Sequence, residues 1–207
     1  MGFTRNIETD RAVLGALVGR LGLPLGVLSL LIAHAEAVRA ATARLGLVSS
    51  RDVEHIAERH TADSLLFALA RMPRHGERWL DVGSGAGFPG VVLASCFPDT
   101  TFTLLEPLKK RAGFLQLTAV DLGLSNVSVD DRRLEDLDDL FDVAVARALS
   151  SPIRALRSMV GAVRAGGDAV VAVGSEAALE DPARLVQVEP AAFVDSPGRF
   201  FMMTSAG

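Results

Sequence analysis

The stretch Trp79-Leu80-Asp81-Val82-Gly83-Ser84-Gly85-Ala86-Gly87-Phe88-Pro89-Gly90 decides the fold. An apolar run of strand character passes straight into closely spaced glycines and then into a segment opened by Pro89, a residue suited to the first helical turn. Glycines at such a turn permit unusual backbone angles and let main-chain N–H groups approach a ligand. Downstream, short β-branched or apolar runs alternate with helical windows. Strands are predicted at Arg78 to Val82, Thr101 to Leu105, Val127 to Val129, Val143 to Ala146 and Ala169 to Val173. Helices are predicted at Pro89 to Cys96, Leu108 to Leu122, Pro152 to Val163 and Glu176 to Leu185. Two last strands fall at Val186 to Val188 and Phe200 to Thr204, the final one antiparallel. Such alternation predicts an α/β fold, a mostly parallel seven-stranded sheet with helices on both faces.

Upstream of the glycines the period is helical. Val13, Leu14, Leu17 and Val18, then Leu28, Leu31, Ile32, Ala35 and Val38, recur at helical spacing over Arg11 to Arg20 and Val27 to Leu45, with Pro24 between them. A third helix is expected to start near Ser50 or Asp52, and a fourth covers Ala62 to Arg71 before Pro73-Arg74-His75-Gly76 punctuates the chain. The predicted organisation is a helical segment over residues 1–76 and a ligand-binding domain over 77–207.

The 207 residues are 49% hydrophobic and 22% charged, enough apolar side chain for one sizeable core and unlike a disordered or fibrous chain. The uncharged apolar run Leu21 to Ala33 is short of the ~20 residues that cross a bilayer, and no secretory pattern is seen, so a cytoplasmic, membrane-free protein is expected. One cysteine, Cys96, excludes an internal disulfide and a Cys-rich zinc site, and no metal is expected. The net charge is -4, but residues 1–78 hold ten Arg against eight acids, leaving the front of the chain cationic.

Two registers of the glycine loop compete. Gly85-Ala86-Gly87-Phe88-Pro89-Gly90 matches the GxGxxG of dinucleotide-binding turns. Asp-x-Gly-x-Gly-x-Gly from Asp81 resembles the first motif of methyltransferases that use S-adenosylmethionine. Charge favours the second: a carboxylate beside the turn repels a pyrophosphate and attracts a sulfonium and an ammonium, by a few kcal/mol at an effective dielectric of about 20. Glu106, 19 residues beyond Gly87 at the end of the second strand, is placed for ribose hydroxyls in either reading. Leu134 and Glu135, past the third strand, are placed for adenine.

These residues are similar to the bacterial small-subunit ribosomal RNA guanine-N7 methyltransferases, the glucose-inhibited division protein B family. The resemblance rests on Asp81-Val-Gly-Ser-Gly-Ala-Gly-Phe-Pro-Gly90, Leu104-Leu-Glu-Pro-Leu-Lys-Lys-Arg-Ala-Gly-Phe-Leu115, Arg133-Leu-Glu135, Arg147-Ala-Leu-Ser-Ser151 and, upstream, Glu58-Arg-His-Thr-Ala-Asp-Ser-Leu65. It implies a class I S-adenosylmethionine-dependent methyltransferase, Rossmann-like, methylating N7 of a guanine in small-subunit rRNA. It also implies a cofactor pocket of Gly83, Phe88, Leu134, Glu135 and Arg147, joined by Asp81, Ser84, Gly85, Gly87 and Glu106 from the reading above. Lys110 and Arg111 would face the RNA and act with Arg147 at the reacting centre, and His60 carries a weaker family argument. The partners would be ribosomal RNA or the small ribosomal subunit, met by a monomer.

The chain departs from the family pattern at three places. Val173 stands where a lysine is common, the C-terminus Thr204-Ser-Ala-Gly207 lacks a basic residue, and Leu47-Val-Ser-Ser50 replaces an Asn-Leu-Thr element. A divergent small-molecule methyltransferase and a nicotinamide-dinucleotide-binding protein are the rival readings. For an RNA enzyme, Arg39, Arg44, Arg51, Arg59, Arg71, Arg74, Arg78 and Lys109 to Arg111 are expected to gather round the cofactor mouth.

Overall fold

The computed structural model describes residues 7–147, 151–173, 184–188 and 199–206. Two helices open it, α1 (Ile7–Arg20) and α2 (Val27–Leu45), the second closed by Gly46 in the left-handed conformation. The helix expected from Ser50 or Asp52 is instead a short 3₁₀ turn, Val53–His55, and a π-helical turn, Ala57–Thr61, running into α3 (Ala62–Ala70). Strands and helices then alternate: β1 (Arg78–Val82), α4 (Gly90–Cys96), β2 (Thr101–Leu105), α5 (Lys109–Asp121), β3 (Val127–Asp130), β4 (Phe141–Ala146), α6 (Pro152–Val160), β5 (Val163–Val173), β6 (Arg184–Val188) and β7 (Arg199–Ser205).

The seven strands form one sheet in the order β3-β2-β1-β4-β5-β7-β6. The first five run parallel, and β7 is antiparallel to both β5 and β6. Several predicted boundaries need correction, among them the starts of β4 and β5, which lie at Phe141 and Val163 rather than at Val143 and Ala169. Helix α6 stops at Val160, because Gly161 breaks it and Val163 already pairs with Phe141 on β4. Arg184 and Leu185 belong to β6 rather than to a helix, and the rest of the helix expected from Glu176 lies outside the described residues.

Alternation along β1 sorts its side chains. Trp79 enters a core shared with Leu14, Leu17, Leu31, Val38, Phe67 and Val91, so the N-terminal helices and α4 cover that face. Leu80 enters a second core with Leu156 and Met159 of α6 on the other face. Val173, where the family often has lysine, is buried in this second core and so is a packing residue. Among the described residues no helix is long and apolar enough to cross a membrane.

Parallel strands β2 and β4 flank β1, so the connections leaving β1 and β4 run to opposite sides, and a crevice opens at their carboxyl ends. The glycine loop follows β1 there, and Arg147 follows β4. Arg71, Arg74 and Arg78 lie at the other end of β1, a correction to the expected basic cluster. Arg71 joins Glu77 (2.6 Å) and Asp168 (2.8 Å), Arg78 joins Asp139, and the Arg74 amide donates to Glu77.

The Arg71 pairs are largely sheltered, with its side chain 13% exposed, and tie α3 to β1 and β5. Replacing Arg71 by Ala strands two carboxylates in a dry setting. We expect Arg71→Ala to lower unfolding stability by about 2 kcal/mol, less than the ~3–5 for a fully buried pair, read as a lower urea midpoint at unchanged slope.

Candidate functional site at the carboxyl edge of the sheet

The glycine loop is held by its own neighbours. Gly83 N–H and Ser84 N–H both donate to the Leu105 carbonyl, at 2.9 and 3.1 Å, while Gly87 N–H and Phe88 N–H donate to the Ser84 carbonyl. Ser84 Oγ donates to the Asp81 carbonyl. Gly83, Gly85 and Gly87 have φ of 72°, 56° and 89°, values that favour glycine. At Gly87 space is also short, since a Cβ there would stand 3.0 Å from His34 Nε2.

Glu106 does not stand free at the place predicted for ribose. One carboxylate oxygen accepts Gly85 N–H and the other accepts Leu108 N–H, both at 2.9 Å, so Glu106 ties the loop to the turn that opens α5. Asp81, 1% exposed, points to the face of β1 that α4 covers. Its Oδ2 accepts Gly90 N–H at 2.9 Å, and its Oδ1 is buried without a hydrogen bond. Burial pushes the Asp81 carboxyl up to about 6, and the Glu106 charge adds to this, while the nearby Ser84 hydroxyl, the Gly90 N–H and the Arg147 charge oppose it.

Phe88 is the hub. Its ring lies 4.8 Å from His34 and 5.3 Å from His60 between centroids, and the Arg147 guanidinium sits 5.2 Å above it. His34, fully buried on α2, hydrogen-bonds the Ala86 carbonyl through Nε2 at 2.8 Å, and burial lowers its pKa to about 4, so it is neutral. Arg147 Nη2 donates to His60 Nδ1 at 2.6 Å. These histidines thus bring the N-terminal segment into the site. Sequence reasoning misses His34, because nothing in the apolar helical period of α2 signals which loop it meets.

The remaining predicted residues divide. Leu134 and Glu135 lie on a 3₁₀ turn past β3; Leu134 packs against the α6 core, and Glu135 is exposed beside Arg133. Lys110 is exposed in the first turn of α5, whereas Arg111 Nη2 donates to the Gly46 carbonyl at 3.0 Å and so fastens α5 to the end of α2. That correction gives Arg111 a structural bond in addition to any ligand. Arg39 is engaged by Glu36 and the Val53 carbonyl, and Arg59 by Asp52. Arg44 on α2, Arg51 in the turn beyond it, and Lys109 and Lys110 at the start of α5 are exposed. Cys96 is a core thiol, pushed up to about 12 by burial.

Chemically, this turn is a poor diphosphate cradle, because the N–H groups of Gly83, Ser84, Gly85, Gly87 and Phe88 already have acceptors within the protein. Two carboxylates and one arginine at consecutive strand ends suit a ligand carrying both signs of charge, positive near Asp81 and Glu106 and negative near Arg147. Sheet order, crevice and loop together define a class I S-adenosylmethionine-dependent methyltransferase fold. Solved structures agree on the fold: a methyltransferase named SAM-dependent O-methyltransferase from Thermotoga maritima has a TM-score of 0.53 at 17% identity, covering 69% of this chain and 64% of that one. A mutant of MtNAS in complex with S-adenosylmethionine reaches 0.58 at 19% identity, covering 88% and 74%.

The chain belongs to the GidB family, described as rRNA small subunit methyltransferase G, whose profile matches residues 28–189. Relatives named ribosomal RNA small subunit methyltransferase G include those of Mycolicibacterium smegmatis, 37% identical over 71% of this chain and 63% of that protein, and Halorhodospira halophila, 40% identical over 67% and 65%. The chain therefore spans less than two thirds of the length of these two relatives.

Proposed function

We propose that the chain binds S-adenosylmethionine at the β1–β4 crevice and methylates N7 of a guanine in small-subunit ribosomal RNA, as a cytoplasmic monomer. The observation that carries the reading is Asp81: a buried carboxylate with an unpartnered oxygen, beneath a loop in which the Gly83, Ser84, Gly85, Gly87 and Phe88 amides already have acceptors. Family membership supports the RNA substrate. In this reading Asp81, Gly83, Ser84, Gly85, Gly87 and Phe88 shape the donor pocket, and Glu106, Leu134 and Glu135 line its nucleoside end. Arg147 meets the donor's carboxylate, and Lys110 and Arg111 meet RNA phosphate.

When bound, the donor supplies an electrophilic methyl on a sulfonium. Guanine N7 presents a lone pair with no proton to remove, so the chain needs no general base at this step. Its task is alignment, which can contribute up to ~7–11 kcal/mol. The buried Asp81 carboxylate would supply negative potential to a cationic donor, while Glu106, tied to Gly85 and Leu108, would hold the loop in place around it. Rigid anchoring of the loop by Leu105, Glu106 and His34 keeps that geometry preformed.

The test is incubation of the protein with tritiated S-adenosylmethionine and small-subunit RNA from cells lacking it, followed by mapping of the label. Label on a guanine N7 supports the reading. Donor binding without labelled RNA would favour a small-molecule substrate, and a thermal shift with NAD but none with S-adenosylmethionine would overturn the reading. For the RNA contact, Lys110→Ala is expected to weaken RNA binding uniformly across sequences and to reduce the salt slope by about 1, with no change in donor affinity. Arg111→Ala should do the same and also cost about 1 kcal/mol of stability through the lost Gly46 bond, seen in urea unfolding.

A further inference from the structure

The π-helical turn Ala57–Thr61 carries His60 into the site from a segment remote in sequence. Arginine is a donor only, so the Nδ1 that receives the Arg147 N–H carries no proton, and the His60 ring is neutral with its proton on Nε2. That Nε2 is buried, without a hydrogen bond, and faces Asp52 Oδ2 at 3.8 Å. Asp52 is itself held by Arg59 Nη1 at 2.8 Å and by Ser49 Oγ at 2.6 Å. Ser49 belongs to the Leu47–Ser50 stretch where this chain leaves the family pattern.

The row Ser49, Asp52, His60, Arg147 thus ends on the guanidinium that stands over Phe88 at the crevice. Each member constrains the next: the carboxylate faces the ring N–H, which leaves the opposite nitrogen as an acceptor, and that acceptor, with the Arg59 carbonyl at 3.4 Å, sets where the guanidinium points. Burial and the nearby Arg147 charge lower the His60 pKa to about 4, which keeps the ring neutral at physiological pH.

We propose that His60 is a positioning residue for methyl-donor binding: its Nδ1, with the ring tautomer set by Asp52, holds Arg147 in the orientation that receives the donor's carboxylate. The proposal rests on the donor site described above and adds a residue that acts through Arg147 without touching the donor.

The experiment measures S-adenosylmethionine affinity by calorimetry for wild type, His60→Leu, His60→Asn, Arg147→Ala and the double variant His60→Leu/Arg147→Ala. A charge-assisted bond that orients one ligand-binding group predicts about tenfold weaker binding for His60→Leu. Asn places its amide oxygen near the position of Nδ1, so His60→Asn should recover affinity to within about threefold of wild type. In the Arg147→Ala background His60→Leu should have no further effect, because the group it orients is gone.

Long-range ¹⁵N spectra of the wild type, free of donor, should show Nδ1 of His60 as the unprotonated nitrogen and Nε2 as the protonated one. An Nδ1–H tautomer, equal losses for Leu and Asn, or additive losses in the double variant would each overturn the proposal while leaving donor binding intact. Failure of the wild type to bind the donor at all would instead bring down the functional reading, and the proposal with it.

Discussion

Asp81→Asn is expected to separate binding from stability, weakening S-adenosylmethionine by at least ~100-fold while making the free protein more stable at neutral pH. In the proposed donor site, the binding loss follows from removing a carboxylate that would attract a cationic ligand at low effective dielectric, worth a few kcal/mol against ~1.4 per decade. The stability gain follows from where the carboxyl titrates. In the fold it does so at about 6, raised from 3.8 because burial penalises its ionised form. A group shifted upward by folding contributes stability that is fully present below about pH 4 and is lost as pH rises through about 6. At pH 7 the ionised side chain therefore opposes folding by an amount on the order of 3 kcal/mol.

Asparagine keeps an oxygen for Gly90 N–H and removes the charge, and its amide nitrogen inherits the unpartnered position at a smaller cost. A net gain of about 1 kcal/mol at pH 7 is expected, with a melting temperature about 2–4 °C higher. Denaturant curves of both proteins at pH 4 and pH 7 check it, since the gap should be near zero or reversed at the lower value and open with rising pH. A gap independent of pH would mean that burial does not govern this carboxyl.

Much of the architecture was legible because local chemistry sets it. The predicted ranges for β1, β2 and α2 coincide with the observed ones, since glycines bound β1, Pro98 and Pro107 bound β2, Pro24 and Gly46 bound α2, and the period within each run is unmixed. The end of α6 was not legible, because Val160 and Val163 continue a helical spacing while the pairing of Val163 with Phe141, and a register shift beside it, overrides that period. In the site, the loop and the strand-end acids could be read from spacing alone. Their partners could not. Glu106 meets Gly85, Arg111 meets Gly46 and Arg147 meets His60 across 21, 65 and 87 residues, contacts created by sheet order rather than by neighbours in the chain.

The cationic residues show the same division. Charge counting indicated a positive front segment, and exposed Arg44 and Arg51 do belong to it. Counting could not foresee that Arg71 would be consumed by Glu77 and Asp168 at the far end of β1, because an arginine beside a helix end looks alike whether it meets solvent or two half-buried acids. Position relative to the β1–β4 switch, a property of topology, decides which charges can reach a ligand.

Glycine substitutions at three positions should rank by packing. A Cβ on Gly90 would stand 2.6 Å from Asp81 Oδ2 and 3.0 Å from Asp81 Cβ, and closer still to Leu104 Cδ2. Neither neighbour has room to retreat, as Leu104 and Asp81 are fully enclosed. Gly90→Ala should cost ~1–3 kcal/mol in overpacking and about as much again if Gly90 N–H moves off a buried carboxylate, less up to ~1 from better helix propensity. A net loss of about 3 kcal/mol is expected, a large share of the ~5–15 typical of a whole fold. Gly85 has nothing nearer than the Gly83 carbonyl at 3.8 Å, so only its φ of 56° resists a side chain, and Gly85→Ala should lose about 1 kcal/mol. Gly113, inside α5 with open space around its Cβ position, should gain up to ~1 kcal/mol on change to Ala. Urea unfolding of the three variants measures the order directly. If Gly90→Ala unfolds no earlier than Gly85→Ala, then the close seating of α4 on β1, which brings Asp81 under the loop, is not what the contacts imply.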